Sequence, residues 1–120
     1  MAKGNSSLKD QLSGSNEVTI SVTGRKSGRK IANPVWFVLD GETLYLLPVK
    51  GSDTQWYKNV IERPSLQIEA GSAAEQLKVR AVTEAKQVAL VVEKFRAKYG
   101  AGDVKKYYSK FDVAVVAQLQ

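Results

Sequence analysis

Residues 18–30 read Val18-Thr19-Ile20-Ser21-Val22-Thr23-Gly24-Arg25-Lys26-Ser27-Gly28-Arg29-Lys30, an alternating run that leads directly into a basic loop. The β-branched residues recur with a period of two, which predicts a strand with one buried face. The loop sets four cationic side chains around two glycines, whose backbone can turn and present N–H groups to an anion. A solvated basic turn is the alternative for this loop taken alone. The stretch therefore predicts a strand that carries a candidate anion-binding loop.

Further strands and helices follow along the chain. Residues 34–39 predict a second strand, apolar on both faces, which the turn Asp40-Gly41 returns as a hairpin into residues 43–47. Short connections then join a helix with Ser52 or Asp53 as its N-cap that runs to about Glu62, strands at 65–70 and 76–82, and a helix at 84–99. A polar segment and a strand at 113–117 follow.

This pattern predicts a mainly β, α+β fold with peripheral helices, built as a small antiparallel barrel. Residues 1–14 are polar apart from two leucines, and they predict a flexible arm or at most a short helical turn. Residues 15–120 are predicted to form the barrel domain.

Composition limits the chemistry that the side chains can perform. The chain has no cysteine and no histidine, which excludes Cys/His zinc sites, Ser-His-Asp and Cys-His nucleophile systems, and haem held by His or Cys. An enzyme with this composition would rely on a bound cofactor. The formal charge of +6 favours anionic partners. No run of residues suggests a secretory signal or an integral membrane segment, so a cytoplasmic location is expected.

A second glycine-containing turn, Lys50-Gly51-Ser52, precedes Trp56-Tyr57-Lys58-Asn59 at the predicted helix start. A cation and backbone N–H groups at a helix start also favour an anion. Two such turns could close on one ligand.

These motifs, together with Asn33-Pro34-Val35-Trp36-Phe37, resemble in order and spacing the deazaflavin-dependent nitroreductase family. The resemblance covers the chain from about Val18 onward. It implies a split β-barrel like that of flavin-binding pyridoxamine-phosphate oxidases, with coenzyme F-420 as hydride donor.

The resemblance also implies a set of cofactor contacts. The basic loop would face the acidic tail of the coenzyme, the turn at Lys50 would take its phosphate, and an apolar bed would lie under the deazaflavin ring. The implied residues are Arg25, Lys26, Ser27, Gly28 and Arg29 for the tail, Lys50, Gly51 and Ser52 for the phosphate, Pro34, Val35, Trp36, Leu47 and Val49 for the bed, and Trp56, Tyr57 and Asn59 on the helix. Tyr107 and Tyr108, with Phe111, would shape the substrate side, and either tyrosine or solvent would supply a proton.

Each assignment has a structural alternative. Trp36, Phe37 and Trp56 could be core residues, Tyr57 and Asn59 could cap or pack, and the tyrosine segment could be a surface helix that shields the barrel mouth. Two residues depart from the family pattern, because Ile31 stands where an arginine is common and Val49 where a serine is frequent. Phosphate contact would then shift to Lys30 or Arg29, and reduction of nitro compounds is left open.

The resulting hypothesis is a deazaflavin-dependent reductase that passes hydride to a quinone, an enone or a nitro compound. A separate dehydrogenase would reduce the coenzyme, and the resemblance leaves a homodimer open. One alternative is a split-barrel protein that binds FMN. The other is a basic barrel that stacks single-stranded nucleic acid on Trp36, Phe37, Trp56 and Tyr57, which we disfavour because these aromatics lie in apolar runs.

Overall fold

A computed structural model describes residues 8–9, 11–71 and 73–119 of the chain. Its described part contains seven strands, which are β1 (Val18–Thr23), β2 (Lys30–Val35), β3 (Phe37–Asp40), β4 (Thr43–Leu46), β5 (Ser65–Ala70), β6 (Ala73–Val82) and β7 (Ala114–Gln118). The helices are α1 (Gln55–Glu62), α2 (Ala85–Tyr99) and α3 (Ala101–Tyr107), and a 3₁₀ turn (Gly51–Asp53) precedes α1. Residues 8–9 and 11–13 are also helical.

The strands form one curled antiparallel sheet in the order β2-β1-β5-β6-β7-β4-β3. The long strand β6 joins its two halves, because residues 73–78 pair with β5 and residues 79–82 pair with β7. The two edge strands, β2 and β3, are consecutive in sequence. The chain therefore crosses from one edge of the sheet to the other at Trp36, which lies at the seam of a half-barrel.

The crossing at Trp36 corrects the prediction of one continuous strand over residues 34–39. The Phe37 backbone N–H donates to the Tyr99 hydroxyl at 3.1 Å. A side chain of α2, rather than a neighbouring strand, therefore accepts this hydrogen bond at the seam. The predicted packing on both faces is confirmed. Phe37 lies in the cluster inside the curled sheet, and Val38 lies in a second cluster between the sheet and helices α2 and α3.

Helix ends follow local chemistry. Gly100, with φ of 95°, ends α2 where the sequence predicts it. The N-cap of α1 is Thr54 rather than Ser52 or Asp53, because residues 51–53 form the separate 3₁₀ turn. The polar segment predicted after Gly100 is helix α3, and its Val104 is fully buried against α2.

The N-terminal segment contributes to the core. Leu8 and Leu12 are both buried in the cluster inside the sheet, with 0% and 1% exposure. Their spacing of four residues places them on one face of a helix. This part of the predicted flexible arm therefore packs against the barrel, while residues 1–7 and Asp10 of that arm lie outside the described residues.

Candidate functional site

A cavity of about 510 Å³ opens beside Trp36 at the seam of the half-barrel. We call it the seam cavity. The end of β2, the segment after β4, the start of α1 and the end of α3 all contribute to its wall. Its lining residues are Glu17, Asn33, Pro34, Val35, Trp36, Leu47, Val49, Thr54, Gln55, Trp56, Tyr107 and Tyr108.

Aromatic contacts hold the Trp36 ring in the wall of the seam cavity. Its indole stacks on the Tyr99 ring at 4.2 Å between centroids and 10° between planes, and it meets Tyr107 edge-on at 5.5 Å. The Tyr99 hydroxyl accepts from the Phe37 N–H and donates to the Asn16 carbonyl at 2.7 Å. Offset and edge-on aromatic pairs of this kind favour a fixed ring orientation. Trp36 therefore presents a flat, partly exposed surface next to the cavity.

A second cavity of about 400 Å³ lies under the basic loop. We call it the basic cavity. It is lined by Gly24, Arg25, Lys26, Ser27, Ile31, Asn33, Gln55, Trp56 and Asn59. Three residues, Asn33, Gln55 and Trp56, line both cavities. The apolar seam cavity and the basic cavity are therefore adjoining parts of one surface groove.

The basic loop closes on itself. The Gly24 N–H donates to the Arg29 carbonyl at 2.7 Å, and the Gly28 N–H donates to the Gly24 carbonyl at 2.9 Å. Gly28 has φ of 72°, a left-handed conformation that glycine adopts without steric cost. This geometry leaves Lys26 exposed at the edge of the basic cavity.

The backbone N–H and the guanidinium group of Arg25 form hydrogen bonds with other residues of the protein. Its backbone N–H and its Nη1 both donate to Asn59 Oδ1, at 3.1 and 2.7 Å, and its Nη2 donates to Gln55 Oε1 at 3.1 Å. Asn59 is buried, so the pair joins the basic loop to helix α1. The two predicted contact residues Arg25 and Asn59 thus bind each other.

Donor groups of the turn at residues 50–53 also form hydrogen bonds with other residues of the protein. The Lys50 N–H donates to Thr54 Oγ1 at 2.8 Å. Ser52 donates its backbone N–H and its hydroxyl to the Asp112 carboxylate, at 2.9 and 2.6 Å. These Ser52 donors, which the resemblance assigned to a phosphate, already hold an internal carboxylate, and this contact keeps the pKa of Asp112 below its usual value. Lys50, Gly51 and Ser52 line neither cavity.

The two predicted catalytic tyrosines differ in environment. Tyr107 is 54% exposed at the mouth of the seam cavity, whereas Tyr108 is 5% exposed. Burial, followed by the neighbouring Tyr99, raises the pKa of the Tyr108 hydroxyl far above its usual range. The buried Tyr108 hydroxyl therefore gives up its proton less readily than an ordinary tyrosine hydroxyl, and a role of either tyrosine in proton delivery stays a prediction.

The structure brings most of the predicted site residues into one groove. The seam cavity contains Pro34, Val35, Trp36, Leu47, Val49, Trp56, Tyr107 and Tyr108, and the basic cavity adds Arg25, Lys26, Ser27 and Asn59. Gly28 and Arg29 lie in the loop but line neither cavity. Tyr57 belongs to the core, where burial and then the Asp112 charge raise its pKa.

Sequence reasoning missed Glu17, Asn33, Thr54 and Gln55 in the groove. Asn33 belongs to one of the quoted motifs and Gln55 stands directly before Trp56 of another, so the motif spacing carried a usable signal for both. Glu17 precedes β1, and nothing in its neighbourhood in the sequence indicates that it lines the seam cavity.

A stacking site for single-stranded nucleic acid is less consistent with the structure. Phe37, Trp56 and Tyr57 are buried, so they offer no exposed stacking face to a single-stranded nucleic acid. Among residues 8–9, 11–71 and 73–119, no cluster of three acidic side chains could hold a metal ion. Within the same described ranges, no helix has the length and apolarity needed to span a membrane.

Comparisons with known proteins identify the family and the fold. The family model described as "Uncharacterized protein conserved in bacteria (DUF2255)" matches residues 9–117. No curated protein matches the sequence.

Several solved structures share the architecture. An F420-H2 dependent reductase (FDR-A) is 18% identical with a TM-score of 0.66, over 86% of this chain and 94% of that one. HutZ, the heme storage protein of Vibrio cholerae, is 13% identical with a TM-score of 0.71, over 96% and 89%. A candidate pyridoxamine 5′-phosphate oxidase of Listeria innocua is 12% identical with a TM-score of 0.68, over 96% and 91%. At these identities the likeness concerns the fold, which is the predicted split β-barrel.

Proposed function

The chain belongs to the DUF2255 family, and we propose that it is an oxidoreductase whose groove binds coenzyme F-420. In this proposal the reduced deazaflavin passes hydride to a small organic acceptor such as a quinone, an enone or a nitro compound. A separate dehydrogenase in the same compartment, the cytoplasm, would regenerate the reduced coenzyme.

The observation that carries the proposal is the junction of the two cavities. An apolar cavity walled by Trp36 adjoins a cavity under a cationic loop, and Asn33, Gln55 and Trp56 line both. A flat redox ring with an anionic appendage has the matching chemistry, since the ring needs an apolar slot and the appendage needs cationic and N–H donors.

Similar folds support the proposal. One structural neighbour is an F420-H2 dependent reductase, and another is a candidate pyridoxamine 5′-phosphate oxidase. The absence of cysteine and histidine from the chain points the same way, because redox chemistry would then come from a bound group.

The residues of the groove have separable tasks in this proposal. Pro34, Val35 and Leu47 would contact the ring on the apolar side, and Trp36 would fix its plane. Lys26 and Ser27 would hold the anionic appendage. The bound deazaflavin would supply the hydride. The protein would align the acceptor with the ring and exclude water, with Tyr107 at the mouth where the acceptor enters.

Binding is the direct test. The purified protein is titrated with coenzyme F-420 and with FMN, and fluorescence of the ligand and of tryptophan is followed. We expect saturable binding of F-420 that is tighter than that of FMN, followed by oxidation of the reduced coenzyme when a quinone is added. Tighter binding of FMN would replace the proposal by the FMN alternative, and absence of binding of both would refute it.

A blocking variant shows whether the ligand occupies the seam cavity. Val49 lines that cavity and is 41% exposed, so Val49→Trp adds bulk there without disturbing the core. Leu90→Trp, at an exposed position of α2, is the matched control. We expect only Val49→Trp to abolish binding, and equal affinities of both variants would place the ligand elsewhere.

A further inference from the structure

The contact between Arg25 and Gln55 determines which way the Gln55 amide faces. A guanidinium group carries donors only, so its partner in an amide must be the oxygen. Arg25 Nη2 donates to Gln55 Oε1 at 3.1 Å, while Nη1 and the backbone N–H of Arg25 are held by the buried Asn59. Arg25 is thus fixed at three points, and it turns the oxygen of Gln55 toward itself.

This orientation leaves the amino group of Gln55 as the donor available to a ligand. Gln55 is the first residue of α1, it is exposed, and it lines both the seam cavity and the basic cavity. The Nε2 group donates no hydrogen bond within the described part of the chain. An anionic oxygen is the strongest partner for such an N–H donor, and Lys26 lies on the same cavity wall.

We infer that Gln55 is a specificity-determining residue, whose amino group donates to an anionic oxygen of the ligand at the junction of the two cavities. Arg25 is its positioning residue. This inference rests on the proposed function for the identity of the ring. It adds that the phosphate or similar anionic group attached to the ring must lie at this junction.

The variant Gln55→Glu separates the donor from the structural contact. It keeps an oxygen for Arg25 and adds an ion pair there, so the fold is preserved, but it replaces the amino group by an anionic oxygen. Gln87→Glu, on the exposed face of α2, makes the same change of net charge away from the groove. The affinities of each variant are measured for FMN and for riboflavin, which lacks the phosphate.

We expect Gln55→Glu to weaken the binding of FMN about tenfold or more and the binding of riboflavin by less than about twofold. The thermal stability of the variant should be unchanged or raised. Gln87→Glu should change neither affinity. An unchanged ratio of FMN to riboflavin affinity in Gln55→Glu would overturn the inference, because a purely structural role would affect both ligands alike.

A second measurement keeps this inference apart from the proposed function. If the wild-type protein does not bind both FMN and riboflavin, inorganic phosphate is titrated while the Gln55 side-chain NH₂ signals are followed by NMR. Saturable shifts of these signals, absent from the Gln87 side chain, would support the donor role. Unshifted Gln55 signals would refute it.

Discussion

Lys26 and Lys50 are both exposed lysines next to turn residues, but only Lys26 lines a cavity. Removing the charge of Lys26 should therefore weaken binding of an anionic coenzyme, by roughly fivefold to tenfold for one charge-assisted contact. We expect this loss for Lys26→Gln in a fluorescence titration with F-420, and we expect it to shrink as salt is added.

Lys50→Gln serves as the matched control, because it removes the same charge from a turn that faces Asp112 rather than the groove. Its affinity should stay within about twofold of wild type. A larger loss for Lys50→Gln than for Lys26→Gln would show that the phosphate is bound at the 3₁₀ turn after all.

Tyr108 predicts a dependence of stability on pH. Burial raises the pKa of its hydroxyl in the folded protein far above the ordinary tyrosine value of about 10. Above about pH 10 the unfolded chain loses this proton and the folded chain keeps it, so the free energy of unfolding decreases with rising pH. Tyr108→Phe should remove up to about 1.4 kcal/mol per pH unit from that slope.

Urea unfolding between pH 9 and pH 11 measures this slope. Tyr107→Phe is the control, since it removes the same hydroxyl group from a neighbouring tyrosine that is exposed. Equal slopes for wild type and Tyr108→Phe would contradict the effect of burial.

At the scale of elements, local patterns predicted what local interactions determine. The alternation of residues 18–23, the Asp40-Gly41 turn and the glycine stop at Gly100 all depend on neighbours in sequence, and the structure confirms each. The break at Trp36 and the separate 3₁₀ turn depend on Tyr99 and Asp112, which are about 60 residues away. No pattern within a short window contains those partners.

The 3₁₀ turn and the segment after α3 form a clasp through Ser52, Lys110 and Asp112. Lys110 reaches Asp53 at 3.1 Å, and Ser109 donates its N–H to the Val49 carbonyl at 2.9 Å. The clasp joins Val49 to the Tyr107 side of the seam cavity. Gly51 lies within it at φ of 54°, where an added Cβ would overlap the Asp112 carboxylate.

Gly51→Ala should therefore cost more stability than Gly41→Ala. Both positions have positive φ, but Gly41 has open space around its Cβ position. We expect roughly 1 kcal/mol for Gly41→Ala from backbone strain and at least 1 kcal/mol more for Gly51→Ala. In an Asp112→Ala background most of the difference should vanish, because the remaining close neighbour, Lys110 Cγ at 3.0 Å, belongs to a flexible side chain, and a double-mutant cycle by urea unfolding measures it. A difference that persists without Asp112 would assign the cost to another contact.

At the scale of the whole molecule, the groove depends on the curl of the sheet. The order of strands brings the two ends of the sheet together at Trp36, and α1 places Gln55 and Trp56 across the seam from the end of β2. Motif order indicated most of the residues along this groove. It could not indicate that Ser52 donates its hydrogen bonds to Asp112 and that Arg25 donates to Asn59. These partners are distant in sequence and meet only in the folded protein.

The N-terminal segment offers the last test, since it decides how far the folded unit extends. Leu12 is 1% exposed within the interior cluster, whereas Leu90 is 58% exposed on α2. Leu12→Ala should cost about 2–4 kcal/mol of unfolding free energy, because it removes buried methyl groups and leaves a cavity. Leu90→Ala should stay within about 0.5 kcal/mol of wild type. Equilibrium urea unfolding compares the two, and similar small losses would mean that residues 8–9 and 11–13 form a detachable arm in solution.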